Sequence, residues 1–265
     1  MYEPLSPLIG QFARYREWPG LDAYQQLLDD RPRPIRLRSG QALQIVPQEG
    51  KARHFDDHYA PRIYMTGEVQ TRTRNWHDFF QFLTWFIFPR TKALINAIHV
   101  PEARARLGRG SDPGRRSPVE NMLSLFDEGG ALVVSSDAAL LQLVRDFQWK
   151  ELFWHRRDEV REALQCITFG HAMYEKGLRP YLGMTANCIL IEVAPGFLDK
   201  TMTERLAWLD DRLAAIFEHG GRYHKPRDLS PFPILGMPGW DPDNEHEAYY
   251  DNRRYFRPGR ASPPK

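Results

Sequence analysis

Histidine and carboxylate side chains fall at adjacent or helical spacings in several parts of this sequence, and those residues could do chemistry. His77 and Asp78 stand at the head of an apolar run that continues from Phe79 to Phe88. At a helix N-terminus the dipole favours a carboxylate. Asp78 therefore reads either as a cap, with His77 bonded nearby, or as half of a His–carboxylate pair in a pocket. Lys92, Asn96 and His99 follow at steps of four and three, which puts them on one helix face. His171 and Glu175 are four residues apart and can converge on one ion or one substrate atom. His171 also lies in an apolar stripe, where an imidazole has to be hydrogen-bonded, so a core histidine paired with its own-helix glutamate is the plainer reading. Gly170 beside it permits close approach of another backbone. Asp127 and Glu128 precede a pair of glycines and are ordinarily turn residues; Asp127, directly after Phe126, is the more informative of the two.

Gathered round one pocket, these residues would form an open metal site or a metal-free acid–base site. In the metal version His77, His99 and His171 are ligands of a divalent ion, zinc or similar. Glu175 or Asp127 then completes the sphere and the remaining carboxylate serves as base, with Asp78 a further catalytic candidate. Lys92, Asn96, Arg116 and Trp240 are the candidates for holding a small-molecule substrate, Lys92 or Arg116 by neutralising an anionic one. The enzyme reading is a metal-assisted or acid–base hydrolase. The reading from another class is a binding or scaffold protein, with structural histidines and a basic loop and tail that contact a protein or nucleic acid. H-E-x-x-H, G-x-S-x-G, P-loop and Rossmann patterns are missing from the sequence, and Cys166 and Cys188 lack the spacing of a closed cysteine zinc site.

The elements that must position these groups are visible in outline. Leu21 to Leu28 reads as a short helix and Leu43 to Val46 as a strand, with a turn at Gly67. Asn75 is a good N-cap for a helix that is apolar on nearly every face and stops at Pro89; a second helix spans Lys92 to His99, before Pro101. Gly108 to Pro118 is a basic, glycine-rich loop. Residues 122–134 read as a β-hairpin turning at Gly129-Gly130, residues 137–178 as helical, 186–193 as an interior strand, and Met202 to His219 as an amphipathic helix ended by Gly220-Gly221. Residues 226–258 lack a period but are rich in aromatics, which suits a lid or wrapping segment that carries Trp240. The expectation is one α+β domain over 1–265, mainly helical, with a small sheet, an irregular C-terminal wrap and a frayed tail from 259.

Composition narrows the function classes. The net charge is +2, with 36 Lys and Arg against 34 Asp and Glu, which disfavours nucleic acid or an anionic membrane as the partner of the whole surface. A local basic excess lies in the 252–265 tail, which has no acid. Two lone cysteines in apolar runs read as buried thiols of a reducing compartment. The first residues lack a charged segment followed by an apolar one, and the Phe79–Phe88 run is about half of a membrane span, so the expected location is cytoplasmic.

With these segments laid out, the chain resembles a bacterial family of uncharacterised proteins, a domain of unknown function, over almost its whole length. The stretches that carry the resemblance are Asn75-Trp-His-Asp-Phe-Phe and Phe88-Pro-Arg-Thr-Lys with Asn96 and His99, then Leu125-Phe-Asp-Glu and Phe169-Gly-His-Ala-Met-Tyr-Glu-Lys. The last is Pro233-Ile-Leu-Gly-Met-Pro-Gly-Trp with Asn244, Tyr250-Asp251 and Phe256-Arg-Pro. Gln81 stands where that family has asparagine, and Glu120-Asn121 where it has an Arg-Asp pair. The resemblance implies that His77, His99, Asp127, His171 and Glu175 belong to the family's polar signature; it implies no reaction.

Overall fold

The structure is a computed structural model that describes residues 1–13, 15–50, 54–108, 116–218 and 223–259. Helices α1 (Ser6–Phe12) and α2 (Leu21–Asp29) precede strand β1 (Gln44–Pro47), α3 (Tyr59–Thr66) and β2 (Glu68–Thr71). Gly67 takes the left-handed conformation that ends α3 and turns the chain into β2, which pairs in parallel with β1. Next come α4 (Trp76–Ile87), α5 (Pro89–Gly108), α6 (Pro118–Gly129) and β3 (Gly130–Ser135). The remainder is α7 (Ala138–Arg145), a π-helical turn (Glu151–His155), α8 (Arg157–Ala163), β4 (Leu164–Thr168), α9 (His171–Gly177), β5 (Thr185–Glu192), α10 (Met202–Glu218) and β6 (Ser230–Pro233), with 3-10 turns up to Asp251.

The main sheet has the order β4-β3-β5-β6; β3 runs parallel to β5 and antiparallel to β4. All six residues of β3 are buried, as its central position requires. Alternation along the strand sends Ala131 and Val133 to one apolar core and Leu132 and Val134 to another. The first core is closed by α7, the π-helical turn and the 232–256 segment; the second is closed by α5, α6 and α10. A third core joins α1, α2, the β1–β2 pair and α4. The expected mainly helical α+β fold is the one observed. Cys166 and Cys188 are free, buried thiols on β4 and β5, and burial pushes the Cys166 thiol up to about 12.

Several local expectations are corrected. Residues 122–129 are not a hairpin strand but the end of α6. Ser117 Oγ accepts the Glu120 N–H and the Glu120 carboxylate accepts the Ser117 N–H, a capping box with Pro118 in the first turn. Neither Gly129 nor Gly130 has the positive φ that the turn needs. The 137–178 span is not continuously helical: its stripe is interrupted by β4, whose Leu164, Cys166, Ile167 and Thr168 are all buried in the sheet. Pro101 lies inside α5 instead of ending the segment. Leu229 still packs on the α6 side, but from Phe232 onward the segment covers the β3 face opposite α5 and α6, and no described residue of 226–258 lines the pocket. It is held there by Asn244, fully buried, whose Nδ2 donates to the Leu235 and Met237 carbonyls and whose Oδ1 accepts from Arg157. The basic loop at 109–115, the glycine stop at 220–221 and the tail from 260 lie outside the described residues. Among the described residues, no helix is long and apolar enough to cross a membrane.

Candidate metal centre and its cavity

Two helix starts and one helix end meet at the site. Asn75 caps α4 by accepting the Asp78 N–H at 3.0 Å, which fixes His77 in the first turn. The Asp78 carboxylate does not point back as a cap. It accepts from the Arg72 backbone N–H and from Nε and Nη2 of its guanidinium at 2.7–2.9 Å. Burial alone would raise Asp78; the Arg72 contacts outweigh it and hold the carboxyl below its ordinary range.

His171 is the first residue of α9, and Gly170 brings it to the end of α6. Gly170 N–H donates to Gly130 O at 2.8 Å. A methyl at 170 would meet the Glu128 carbonyl and lie 2.5 Å from the Gly130 nitrogen. Only glycine therefore lets the α9 start lie against the α6–β3 junction. Three residues beyond the two histidines, Phe80 of α4 stacks on Tyr174 of α9 with ring centroids 5.5 Å apart, so the apolar pattern brings both histidines together.

His77 Nε2 and His171 Nε2 are 3.1 Å apart, and Glu128 Oε2 is 3.4 Å from His171 Nε2. Ligands of a tetrahedral ion at about 2.05 Å stand about 3.3 Å apart. These three residues each offer a ligand atom within 4.8 Å of the others and could hold a metal ion; among the described residues they form the only such group. Glu175 Oε2 lies 3.1 Å from His77 Nδ1. With that nitrogen donating its N–H to the carboxylate, His77 Nε2 presents a lone pair toward His171. Burial holds His171 down to about 3, against the pull of the Asp127 carboxylate, so this ring is neutral at physiological pH as a metal ligand must be. The Glu128 side chain is 53% exposed, yet the desolvation it does suffer, with Asp127 beside it, raises its carboxyl against the pull of His77.

Beside the pair of rings opens a cavity of about 920 Å³, walled by α4, α5, α6 and the 55–61 segment. His77, Asp78, Lys92, Asn96, His99, Arg116, Asp127 and Glu128 line it. Lys92, 2% exposed, gives its ammonium to both Asp127 oxygens at 2.6 and 2.8 Å. Burial would lift the Asp127 carboxyl, but the Lys92 charge prevails and keeps it below its usual range. The clamp makes Asp127 a poor base and leaves Lys92 no free charge. Asp210 of α10 accepts the Arg90 and Thr91 N–H groups and so anchors the start of the helix that carries Lys92.

The expected ligand set is thus rearranged. His77 and His171 converge as expected. His99 lines the cavity on α5 without joining them, and Glu128 stands where a third histidine was expected. Asp127 and Asp78 are tied to Lys92 and Arg72. Glu175 is behind His77, on its Nδ1 side, and does not join the three converging groups. Trp240 packs against the core on the far face of β3 and is not part of the cavity. Glu128 was legible: once Ser117-Pro-Val-Glu120 is recognised as a helix start, Asp127 and Glu128 fall in the last turn, where the dipole disfavours carboxylates. Two acids placed against that gradient suggest a role other than helix stability.

A family model described as "Protein of unknown function (DUF3025)" matches residues 43–260, which include all five stretches that carry the resemblance and every residue of the site. No curated protein and no solved structure matches the chain.

Proposed function

That match makes the chain a member of the DUF3025 family, and from this premise we propose that it is a metal-dependent hydrolase acting on a small molecule held in the cavity. The ion sits on His77 Nε2, His171 Nε2 and Glu128, with zinc as the fitting species. Two imidazoles and one carboxylate leave a fourth position for water or substrate, the arrangement of catalytic rather than structural zinc. A divalent ion held by these residues would supply a Lewis acid that activates water and polarises the bond to be cleaved. Glu175 orients His77 and strengthens it as a donor. The Lys92–Asp127 clamp holds the end of α6 in place so that Glu128 reaches the ion.

The observation that carries this reading is the convergence of His77 Nε2, His171 Nε2 and Glu128 Oε2, with the Glu175 carboxylate placed to accept the His77 Nδ1 proton. The test is metal analysis of protein purified without chelator, with a zinc titration of the chelator-treated chain. One tightly bound equivalent, lost in a His77→Ala, His171→Ala double variant that still folds, supports the proposal. Absence of binding, or binding indifferent to both histidines, overturns it.

A further inference from the structure

Lys92, Asn96 and His99 share the face of α5 that lines the cavity, and they differ in what they have left to offer. Lys92 is committed to Asp127. Asn96 is 4% exposed, and its Nδ2 donates to the Ala60 carbonyl at 2.8 Å. That bond fixes which end of the amide is oxygen, because a flipped side chain would set carbonyl against carbonyl. The Asn96 Oδ1 atom is buried and has no hydrogen-bond partner among the described residues. A bare buried acceptor is costly, and a group in the cavity that carries a hydrogen is what would relieve it. One turn on, His99 is kept neutral, chiefly by burial and further by Arg116 and Lys92, against Asp127 and Glu120. It therefore adds no positive charge to this wall.

We propose that the α5 wall selects the substrate through an uncharged N–H or O–H donor that bonds to Asn96 Oδ1, so that carboxamides or alcohols are bound in preference to phosphates or carboxylates. An anionic oxygen has no hydrogen to give Asn96, and the Lys92 charge on this wall that could hold it is already taken by Asp127. The idea rests on the reading of this cavity as the substrate pocket, and it names the substrate class for that site.

Four small probes test it on the full chain by NMR titration: benzamide, benzyl alcohol, N,N-dimethylbenzamide and benzoate. Benzamide or benzyl alcohol should bind about fivefold more tightly than N,N-dimethylbenzamide, the effect of one neutral hydrogen bond. Benzoate should be the weakest. Which of the first two is tighter decides between amide and alcohol substrates. Asn96→Ala should bring benzamide to the level of its dimethyl derivative while zinc affinity stays unchanged. If Asn96→Ala does not fold, the contrast among probes on the unaltered protein decides alone. Equal binding of donor and donor-less probes, preference for benzoate, or no binding of benzamide and benzyl alcohol overturns the proposal. The zinc titration on the same samples reports separately on the metal reading, so either idea can fail without the other.

Discussion

Glu175→Gln separates a structural role from a metal-supporting one. Glu175 touches His77 Nδ1 at 3.1 Å, and its side chain is 45% exposed. A partly exposed pair of this kind contributes about 0.2–1 kcal/mol to stability, which in a chain of this size moves the melting temperature by about 4 °C at most. As the group that fixes the His77 tautomer, it should matter far more to an ion: loss of such a partner weakens metal binding by about 10–100-fold. The amide that replaces the carboxylate can still accept a hydrogen bond while lacking the charge, so the lower end is expected for Glu175→Gln and the upper end for Glu175→Ala. The assay is competition for zinc against a chromophoric chelator, with thermal melting of the chelator-treated chains alongside. Weaker zinc binding with nearly unchanged melting is the expected pattern. Unchanged zinc binding in both variants, or a large fall in melting temperature with affinity intact, would refute the reasoning that Glu175 acts through His77.

Other substitutions probe the supports of the site. Asp127→Asn leaves the buried Lys92 ammonium uncompensated and should cost about 3–5 kcal/mol in chemical denaturation; adding Lys92→Met should restore most of it. Glu128→Gln should weaken zinc binding at least about tenfold with little change in stability, because the side chain is half exposed; an unaltered titration would remove Glu128 from the ligand set. Gly170→Ala forces a methyl into the Glu128–Gly130 backbone, so α9 must shift and both stability and zinc affinity should fall, read by denaturation and titration together. Asn244→Ala strips the donors from two buried carbonyls and should cost about 2–5 kcal/mol in denaturation while leaving zinc affinity untouched, since the C-terminal wrap lies across the sheet from the cavity.

The legible parts of the sequence were those in which local pattern and tertiary demand agree. The Asn75 cap, the apolar α4 and the buried β5 came through because a cap, an all-round apolar helix and a two-sided strand each have one solution. The misread parts were places where one pattern serves two structures. Leu164 and Ile167 fit the stripe of a helix, yet they are residues of a strand buried on both faces. Gly129-Gly130 looks like a turn, but the pair serves as the seam between α6 and β3, against which Gly170 packs. That seam is also why the sequence pattern ranks Glu128 below Asp127: in a turn it would be solvated, and only at the end of a helix lying against α9 does it reach His171. The pairing of Lys92 with Asp127 joins two helices across 35 residues of chain, which no spacing rule encodes, whereas that of Arg72 with Asp78 is local, across the turn that leads into α4. The aromatic content of the wrap implies packing, but the side of the sheet it covers follows from Arg157 and Asn244, whose partnership spans 87 residues.

The central claim is that His77, His171 and Glu128 hold one divalent ion. Anomalous diffraction at the zinc edge from crystals of the full chain grown with equimolar zinc tests it most directly. The account predicts a single strong peak about 2.0–2.1 Å from both Nε2 atoms, with a Glu128 oxygen at about 2.0–2.2 Å. A peak elsewhere, or the two rings bonded to each other with zinc present in solution and no peak between them, would contradict it.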